Sequence, residues 1–405
     1  MADVFSAACH SERLVCVTTS AELGGAETSL LTLLRALRRM VPDWEITVVM
    51  PDSGPLLDRC SEAGIRAHVL PYPPALAAFG EPGLSSSASA AWRVTRAALA
   101  VRPYLQQLRR ALTQFDATIV HSNGIKAHVA SAVAAPKRTR LVWHLHEYVG
   151  TRRVTAALLR RLAGRPTAIV VNSDSVCADA VAALGRSRAV QRIHNAIDLA
   201  AFSPVGEALD LAAASGLPSD AGLVRIGLVA TFGRWKGHEV FLDALAEVSN
   251  AVPVRGYVVG GAVYQTSGSQ RTLDELRSYA SGLGLEERVG FTGHVANVPS
   301  VMRALDVVVH ASTSPEPFGM VIAEGMATGR AVVAVRNGGA RELFEEDVDA
   351  LGHAMGDPRD LARQLRRLAG DPTLRTALGQ SARMSAERRF SPERMATEFL
   401  QVYAA

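Results

Sequence analysis

Two glutamates, Glu316 and Glu324, stand eight residues apart in the segment SPEPFGMVIAEGMATG, residues 314–329. Prolines on both sides of Glu316 keep it off a helix, because a residue before proline avoids the α region. A helix is predicted to begin near Phe318 or Gly319, and its first N–H groups and dipole favour a bound phosphate. Glu324, on the first turns, could accept hydrogen bonds from hydroxyls. From the spacing alone, two solvated acids are an equally good interpretation.

A glycine-flanked loop, GRWKG, carries two cations, Arg234 and Lys236. A guanidinium can bind phosphate through a fork of N–H donors, and an ammonium binds it as a point charge. The loop could therefore neutralise a diphosphate. Without further context, two solvated loop cations are the better interpretation.

His144 and His146 lie two residues apart where a predicted strand ends, and His121 ends another predicted strand. For a regular strand we expect only one of His144 and His146 to face a ligand. A histidine at a strand end is more often structural than catalytic, so the residues themselves leave the role of these side chains open.

The predicted strands and helices are the elements that must position these residues. Short β-rich runs alternate with helical patterns along the chain, which predicts βαβ units and parallel sheets with helices on both faces. The pattern restarts after residue 222, so two doubly wound α/β domains are predicted, with the stretch 202–222 as their linker. Ligands of such sheets bind at the carboxyl ends of the strands. We therefore expect the chemistry in a cleft between the domains.

The length and composition agree with this organisation. The chain has 405 residues, of which 48% are hydrophobic and 5% aromatic. This length suggests two domains, and the composition suggests the aliphatic core of covered parallel sheets. The four cysteines contain no CxxC pair, which indicates neither a disulfide framework nor a zinc site. No secretory leader and no membrane-spanning run is recognisable, so a cytoplasmic protein is expected.

The net charge of +4 averages two different halves of the chain. Residues 1–203 carry a net +8 and the remainder a net −4, and the stretch 82–173 holds 14 Lys and Arg against only Asp116 and Glu147. Nucleic acid is one partner for such a stretch, but we predict no nucleic acid here. Peripheral contact with an anionic membrane, at its inner face, or an acidic acceptor fits two α/β domains better. Ordinary solvated helix faces are the remaining interpretation.

Taken together, the motifs resemble those of a known family. The spacing of Glu316 and Glu324 is similar to the E-x7-E element of the retaining GT-B glycosyltransferases, specifically the GT4 family. Six further segments resemble motifs of this family in the expected order: Gly24-Gly25, WHLHE (143–147), NAID (195–198), GRWKG (233–237), FTGHV (291–295) and GGARE (338–342).

The resemblance implies a GT-B fold, in which two Rossmann-like, doubly wound parallel-sheet domains face each other across a cleft. Residues 1–202 would bind the acceptor, residues 203–390 would bind the nucleotide-sugar donor, and residues 391–405 would form a helix that packs back on the first domain. The implied reaction moves a sugar from a UDP- or GDP-sugar to an acceptor hydroxyl with retention of configuration. The acceptor would be a sugar, a lipid or a natural product, in bacterial glycoconjugate, polysaccharide or natural-product biosynthesis.

The resemblance also assigns site residues. The implied catalytic residues are His146, Glu316, Lys236 and Arg234. Donor contacts are expected from Gly24, Gly25, Arg234, Lys236, Gly293, His294, Val295, Glu316, Phe318, Gly319, Met320, Val321 and Glu324. In this assignment the two cations neutralise the departing diphosphate, and no cofactor or metal takes part.

Two features depart from the family pattern or point elsewhere. Only Trp235 separates Arg234 from Lys236, whereas the family usually places several residues between its Arg and Lys, so Lys236 is the safer transfer. Asp347 and Asp349 form a D-x-D, the metal-binding signature of a different glycosyltransferase class, and we predict a surface turn there.

Other functions stay open beside glycosyl transfer. A GT-B protein could carry out other sugar-nucleotide chemistry, as an epimerase or a phosphorylase, or could bind a sugar nucleotide without catalysis. A nucleotide-dependent oxidoreductase is disfavoured, because the loop ELGGAETS lacks the G-x-G-x-x-G spacing.

Overall fold

The computed structural model describes residues 11–73, 89–185, 190–249, 251–262 and 268–405. The described chain forms two units. The first comprises the residues up to Ala196 together with Pro392–Ala405, and the second comprises Ile197–Ser391. The α/β class with two doubly wound parallel sheets, predicted from the sequence, is confirmed.

The first unit is built on a seven-stranded parallel sheet with the order β3-β2-β1-β4-β5-β6-β7. Strands β1, β2 and β5 are buried along almost their whole length, as expected for a sheet covered on both faces. The strands are β1 (Arg13–Thr18), β2 (Glu45–Met50), β3 (Arg66–Val69), β4 (Ile119–Asn123), β5 (Arg140–Leu145), β6 (Ala168–Val171) and β7 (Val190–Arg192).

Helices connect these strands and bury one apolar face each against the sheet. They are α1 (Gly25–Met40), α2 (Pro55–Glu62), α3 (Ser89–Gln114), α4 (Ile125–Ala134), α5 (Arg153–Leu162) and α6 (Asp174–Leu184). The last helix of the chain also belongs to this unit and packs on α1, with Met395, Phe399 and Tyr403 buried in the same apolar cluster as Leu30 and Leu34.

The second unit is built on a six-stranded parallel sheet with the order β10-β9-β8-β11-β12-β13. Its strands are β8 (Val224–Val229), β9 (Val254–Val259), β10 (Val289–Gly293), β11 (Val307–His310), β12 (Ala331–Val335) and β13 (Leu351–His353). The remaining helices are α7 (Leu211–Ser215), α8 (His238–Val248), α9 (Leu273–Gly282), α10 (Val298–Ala304), α11 (Met320–Ala327), α12 (Pro358–Gly370) and α13 (Pro372–Arg389), followed by α14 (Pro392–Ala404) of the first unit.

The boundary between the units differs from the predicted one. The sequence placed it after residue 202 with a linker over 202–222, whereas the chain enters the second unit at Ile197. Ile197 is buried in the apolar cluster of that unit, and its N–H donates to the Phe390 carbonyl. Leu211 is buried there too, so the predicted linker is wrong. The small residues and prolines of segment 202–222 are typical of a linker, but its few leucines are enough to anchor the segment to the second unit.

Candidate active site

The side chains of Lys236 and Glu316 meet at the carboxyl end of the second sheet. Lys236 ends the 3-10 turn Arg234–Lys236, and Glu316 lies in the loop between β11 and α11. The Lys236 Nζ lies 2.7 Å from the Glu316 Oε1, and the two side chains are only 20% and 15% exposed. The structure therefore brings together two residues that were predicted from the sequence to belong to one site.

The second carboxylate oxygen of Glu316 is held by residues from the end of β11. The Ser312 hydroxyl donates to Oε2 at 2.6 Å, and the His310 Nε2 lies 3.4 Å from the same atom. Burial by itself raises the pKa of Glu316, but the hydrogen bond from His310 and the charge of Lys236 outweigh it and hold the pKa well below its usual range. Glu316 is thus an ionised, oriented carboxylate.

Helix α11 begins directly after this loop. Gly319 is its N-cap, with a φ of 96°, which is the left-handed region that favours glycine. A Cβ at Gly319 would lie 3.7 Å from the His310 Nε2, so the helix start and Glu316 share the same surroundings. Phe318 is buried, and Met320 and Val321 pack against the same apolar cluster. The N–H of Ile322 in the first turn already donates to the Gly319 carbonyl at 3.0 Å, so the first N–H groups of α11 are only partly available to a ligand.

Glu324 lies one turn further along α11, at the predicted position on the helix. Its carboxylate makes no hydrogen bond or ion pair with other residues that the structure describes. Burial raises the pKa of Glu324 to about 7. A mostly buried carboxyl group without a protein partner is suited to accept hydrogen bonds from ligand hydroxyls.

Arg234 does not join Glu316. Its Nε donates to the Gly268 carbonyl at 2.9 Å, and its guanidinium lies 3.8 Å from a carboxylate oxygen of Glu275 on α9. The two cations are two residues apart in a 3-10 turn, which directs their side chains differently. The structure therefore brings Lys236, and not Arg234, to the E-x7-E segment.

The segment Gly293–Val295 begins with the last residue of β10, at the same edge of the sheet. The Gly293 carbonyl accepts from the N–H of Gly260 at 3.0 Å. The His294 side chain is exposed, and Val295 packs against the apolar cluster that contains Phe318. These residues are available to a ligand mainly through their backbone.

In the first unit, Gly24 caps α1 and Gly25 is its first residue. Both are exposed. The loop also places a carboxylate at the end of β1: Glu27 is 7% exposed and accepts a hydrogen bond from the Thr18 hydroxyl at 3.3 Å. Burial raises the pKa of Glu27, and the charge of Glu147 acts in the same direction.

His146 follows the end of β5 in the first unit. Its Nε2 lies 2.7 Å from the Asn123 Oδ1 at the end of β4. The ring of His144 lies 4.0 Å from that of His146, measured between centroids. Residues two apart in a strand point to the same face, so the alternation of a strand does not separate these histidines, and which of them faces a ligand stays a prediction. They differ instead in depth, since His144 is fully buried.

Two family models match the chain, one for each half. The model of Glycosyltransferase Family 4 matches residues 23–201, and that of Glycosyl transferases group 1 matches residues 224–371. A D-inositol 3-phosphate glycosyltransferase of Xylanimonas cellulosilytica is 32% identical over 306 residues, which cover 73% of this chain and 68% of the relative. This chain belongs to the group 1 glycosyltransferases.

Other relatives of this glycosyltransferase match over less of their length. The lipopolysaccharide core biosynthesis glycosyltransferase LpsE of Rhizobium meliloti is 28% identical over 238 residues, 58% of this chain and 64% of LpsE. The chain spans about three fifths of the length of several such curated relatives.

A solved structure with the same fold covers almost the whole glycosyltransferase. The crystal structure of Anabaena Alr3699/HepE in complex with UDP-glucose has a TM-score of 0.80 and 25% sequence identity, and the match covers 97% of this chain and 99% of the other. The predicted GT-B fold is thereby confirmed.

The sequence reasoning missed several residues that build the candidate site of this glycosyltransferase. His310 and Ser312 hold Glu316, Asn123 holds His146, and Glu27 is buried beside Gly24. Each lies at or just beyond the carboxyl end of a strand or on the first turn of the next helix. A polar residue at such a place was the available signal, since ligands of doubly wound sheets bind there.

The D-x-D segment makes local contacts. Asp347 pairs with Arg367 at 2.7 Å, and the buried Asp349 accepts from the Glu345 N–H at 2.6 Å. The predicted surface turn is therefore partly buried, because Asp349 supplies a turn acceptor. Within the described part of the chain, no group of three His, Cys, Asp or Glu side chains could hold a metal ion.

Among the described residues, no helix is both long enough and apolar enough to cross a bilayer.

Proposed function

We propose that this chain transfers a sugar from a nucleotide-sugar donor to an acceptor hydroxyl, with the donor held by the second unit and the acceptor by the first. The observation that carries the proposal is the arrangement around Glu316, where Lys236, the start of α11 and the unpartnered Glu324 lie at one sheet edge. A cation, a helix N-terminus and a carboxylate are complementary to a diphosphate and a ribose.

The diphosphate would be bound by Lys236 and by the first N–H groups of α11. Breaking the sugar–phosphate bond increases the negative charge on the diphosphate, so positive potential at this place stabilises the transition state more than the bound donor. Arg234 can bind the diphosphate only if its side chain leaves the Gly268 carbonyl. We therefore assign the larger part of the charge stabilisation to Lys236. HepE was crystallised in complex with UDP-glucose, which favours a UDP-sugar over a GDP-sugar for this chain.

We propose retention of configuration from the resemblance of the chain's motifs to those of the retaining GT4 enzymes, and we assign no enzymic nucleophile to the step. Both carboxylate oxygens of Glu316 are engaged, by Lys236 and by Ser312 and His310. In the proposed step the acceptor oxygen bonds to the anomeric carbon on the face that the diphosphate leaves. The bond to the diphosphate oxygen breaks with its electron pair, and that oxygen takes the acceptor proton.

We also propose that the transfer needs no metal, because Lys236 and the helix start supply the positive charge at the diphosphate. Activity that survives extensive chelation and dialysis supports this, whereas activity restored only by a divalent cation contradicts it.

Ligand screening by thermal shift tests the donor assignment first. A nucleotide at ~100 times its dissociation constant should stabilise the protein by roughly 2.7 kcal/mol. We expect UDP or a UDP-sugar to stabilise the unmodified protein, and Lys236→Ala to lose most of this stabilisation. The control Lys137→Ala should keep it in full, since Lys137 lies in the first unit. Equal stabilisation of all three proteins would place the nucleotide elsewhere.

Product analysis then separates transfer from the alternatives. Incubation of the donor with and without an acceptor, followed by NMR of the product, should show a new glycoside only with the acceptor and with the donor's anomeric configuration. An epimerised donor, a sugar phosphate formed with inorganic phosphate, or binding without turnover would replace the proposal by one of the three other functions. An inverted glycoside would contradict the mechanism but not the transfer.

The acceptor face of the first unit is less basic than its composition suggests. Arg160 and Arg165 donate to backbone carbonyls, and Arg140 pairs with Glu12. The outward face of α5 retains Arg153 and Arg161 next to Val154, which is 76% exposed. We propose that this face contacts an anionic membrane surface. The proposal is supported if the protein co-sediments with anionic vesicles and a double Arg153→Glu and Arg161→Glu variant does not. It is contradicted if the protein sediments equally with neutral vesicles.

A further inference from the structure

Asn123 and His146 form a hydrogen bond that defines the protonation of the His146 ring. The Asn123 Oδ1 lies 2.7 Å from the His146 Nε2, and Asn123 is fully buried. An amide oxygen can only accept a hydrogen bond. The proton of a neutral His146 ring is therefore on Nε2, and Nδ1 carries a lone pair.

The Nδ1 atom of His146 is buried and has no hydrogen-bond partner among the described residues. The titratable groups around it do not provide one. His144 lies on the same strand face, His121 and His128 come from β4 and α4, and their charged forms are disfavoured by burial. Glu147 follows in the chain and pairs with Arg152 at 3.1 Å. Burial lowers the pKa of His146 to about 4, so the ring is neutral at physiological pH.

The backbone around Asn123 fixes its position. Asn123 is the last residue of β4 and lies in register between Thr18 of β1 and His144 of β5. The next residue, Gly124, has a φ of 96°, and a Cβ there would approach the Thr19 Oγ1 to 2.7 Å. The chain leaves the strand through a tight turn directly after Asn123, so the backbone that carries this side chain is fixed by both neighbouring strands.

We propose that Asn123 is a positioning residue that fixes His146 in the Nε2–H tautomer, so that its Nδ1 accepts a hydrogen bond from a hydroxyl of the donor sugar or of the acceptor. The tautomer follows from the orientation of the Asn123 amide, with Oδ1 toward the ring, and its use in transfer rests on the proposed function. Asn123→Ala would let the proton move to Nδ1, which could then no longer accept a hydrogen bond. Asn123→Asp would place a carboxylate at Nε2 and favour the imidazolium form.

Nitrogen NMR of the imidazole rings tests the tautomer directly. The protein is labelled with ring-15N histidine, and His146 is assigned among the eleven histidines by the signal missing from His146→Gln. We expect a protonated Nε2 and an unprotonated Nδ1 in the unmodified protein, a mixture of tautomers in Asn123→Ala, and protonation of the ring at higher pH in Asn123→Asp. The control is Asn172→Ala, another buried asparagine just beyond a strand of the same sheet, and it should leave the signals unchanged.

A protonated Nδ1 or an imidazolium in the unmodified protein at neutral pH would overturn the assignment without any variant. It would also be overturned if Asn123→Ala, folded by circular dichroism, kept His146 wholly in the Nε2–H form.

Transfer kinetics test the use of the tautomer. We expect kcat to fall at least tenfold in Asn123→Ala, and the acid limb of the kcat profile to move to higher pH in Asn123→Asp. A changed tautomer with unchanged kcat would overturn the role of His146 in transfer. If the unmodified protein does not bind a UDP-sugar, the proposed function is overturned, but the tautomer assigned by NMR is not affected.

Discussion

The ammonium of Lys236 and the carboxylate of Glu316, eighty residues apart in the chain, meet at 2.7 Å in the second unit with most of both side chains buried. In such surroundings the attraction between charges is stronger than at the surface. Removing one partner leaves the other as an uncompensated, partly dehydrated charge. A ligand that binds the Lys236 ammonium therefore also changes the surroundings of Glu316.

Glu316→Gln should strengthen the binding of UDP while it abolishes transfer. The substitution frees Lys236 from its carboxylate partner, so the diphosphate no longer competes with Glu316 for the ammonium. We expect the Kd for UDP, measured by calorimetry, to fall three- to tenfold, which corresponds to about 1 kcal/mol. Lys236→Ala should raise the same Kd by tenfold or more. Weaker UDP binding in Glu316→Gln would show that the carboxylate does not compete with the diphosphate.

Ser312→Ala should shift the acid limb of the transfer reaction to higher pH. Burial raises the pKa of Glu316, whereas the His310 hydrogen bond and Lys236 lower it. The Ser312 hydroxyl also donates to this carboxylate at 2.6 Å, and loss of a donor to the ionised form moves the pKa upward. Glu316 is then protonated, and inactive, at a higher pH than in the unmodified protein. The kcat profile, followed downward from pH 8 as far as the protein stays folded, measures this, because the pKa of Glu316 lies well below its usual range. The exposed neighbour Thr313, changed to Ala, serves as the control, and an identical profile for both variants would contradict the role of Ser312.

The strands of this protein were largely predictable because most of them are buried aliphatic runs between helical patterns. Two strands that such a pattern does not indicate are β7 and β13, each of three residues. Exposed Gln191 and Arg192 form part of β7, and β13 is Leu-Gly-His. Such short edge strands carry too few apolar residues for a periodicity and form because a neighbouring strand offers its hydrogen-bonding edge.

The site was predictable where a motif is local and not where distant residues meet. The helix start at Gly319 and the place of Glu324 follow from prolines and spacing within one segment. The partners His310 and Ser312 depend on how β11 ends, and the different directions of Arg234 and Lys236 depend on a 3-10 turn. Neither is encoded in spacing, because both are set by tertiary contacts.

Gly237→Ala should strongly destabilise the second unit. Gly237 has a φ of 75°, and a Cβ would lie only 1.8 Å from the Ala311 carbonyl oxygen at the end of β11. We expect a loss of at least about 2 kcal/mol in the free energy of unfolding, from backbone strain together with the clash. Gly284→Ala is the matched control, since Gly284 has a φ of 70° and no atom within 4 Å of its Cβ position. It should cost only about 1 kcal/mol, and equal losses would contradict the steric argument.

The buried histidines of the first unit should make its stability depend on pH. Burial lowers the pKa of His121 to about 3 and that of His146 to about 4, and it lowers the pKa of His144 as well. An unfolded histidine has a pKa near 6.5. Between these values the unfolded chain binds more protons than the folded one, so the stabilisation is complete above about pH 6.5 and is lost as the pH falls.

Each such histidine contributes a slope of up to about 1.4 kcal/mol per pH unit below pH 6.5. Glu324, whose pKa is raised to about 7, contributes in the opposite direction, so variants must be compared by their slopes. His121 accepts or donates a 2.6 Å hydrogen bond with the Tyr403 hydroxyl of α14. Urea unfolding of His121→Gln between pH 5 and 7.5 should show a slope smaller by about 1.4 kcal/mol per unit, whereas the exposed His294→Gln should keep the original slope. Equal slopes in all three proteins would mean that His121 binds a proton in the folded state.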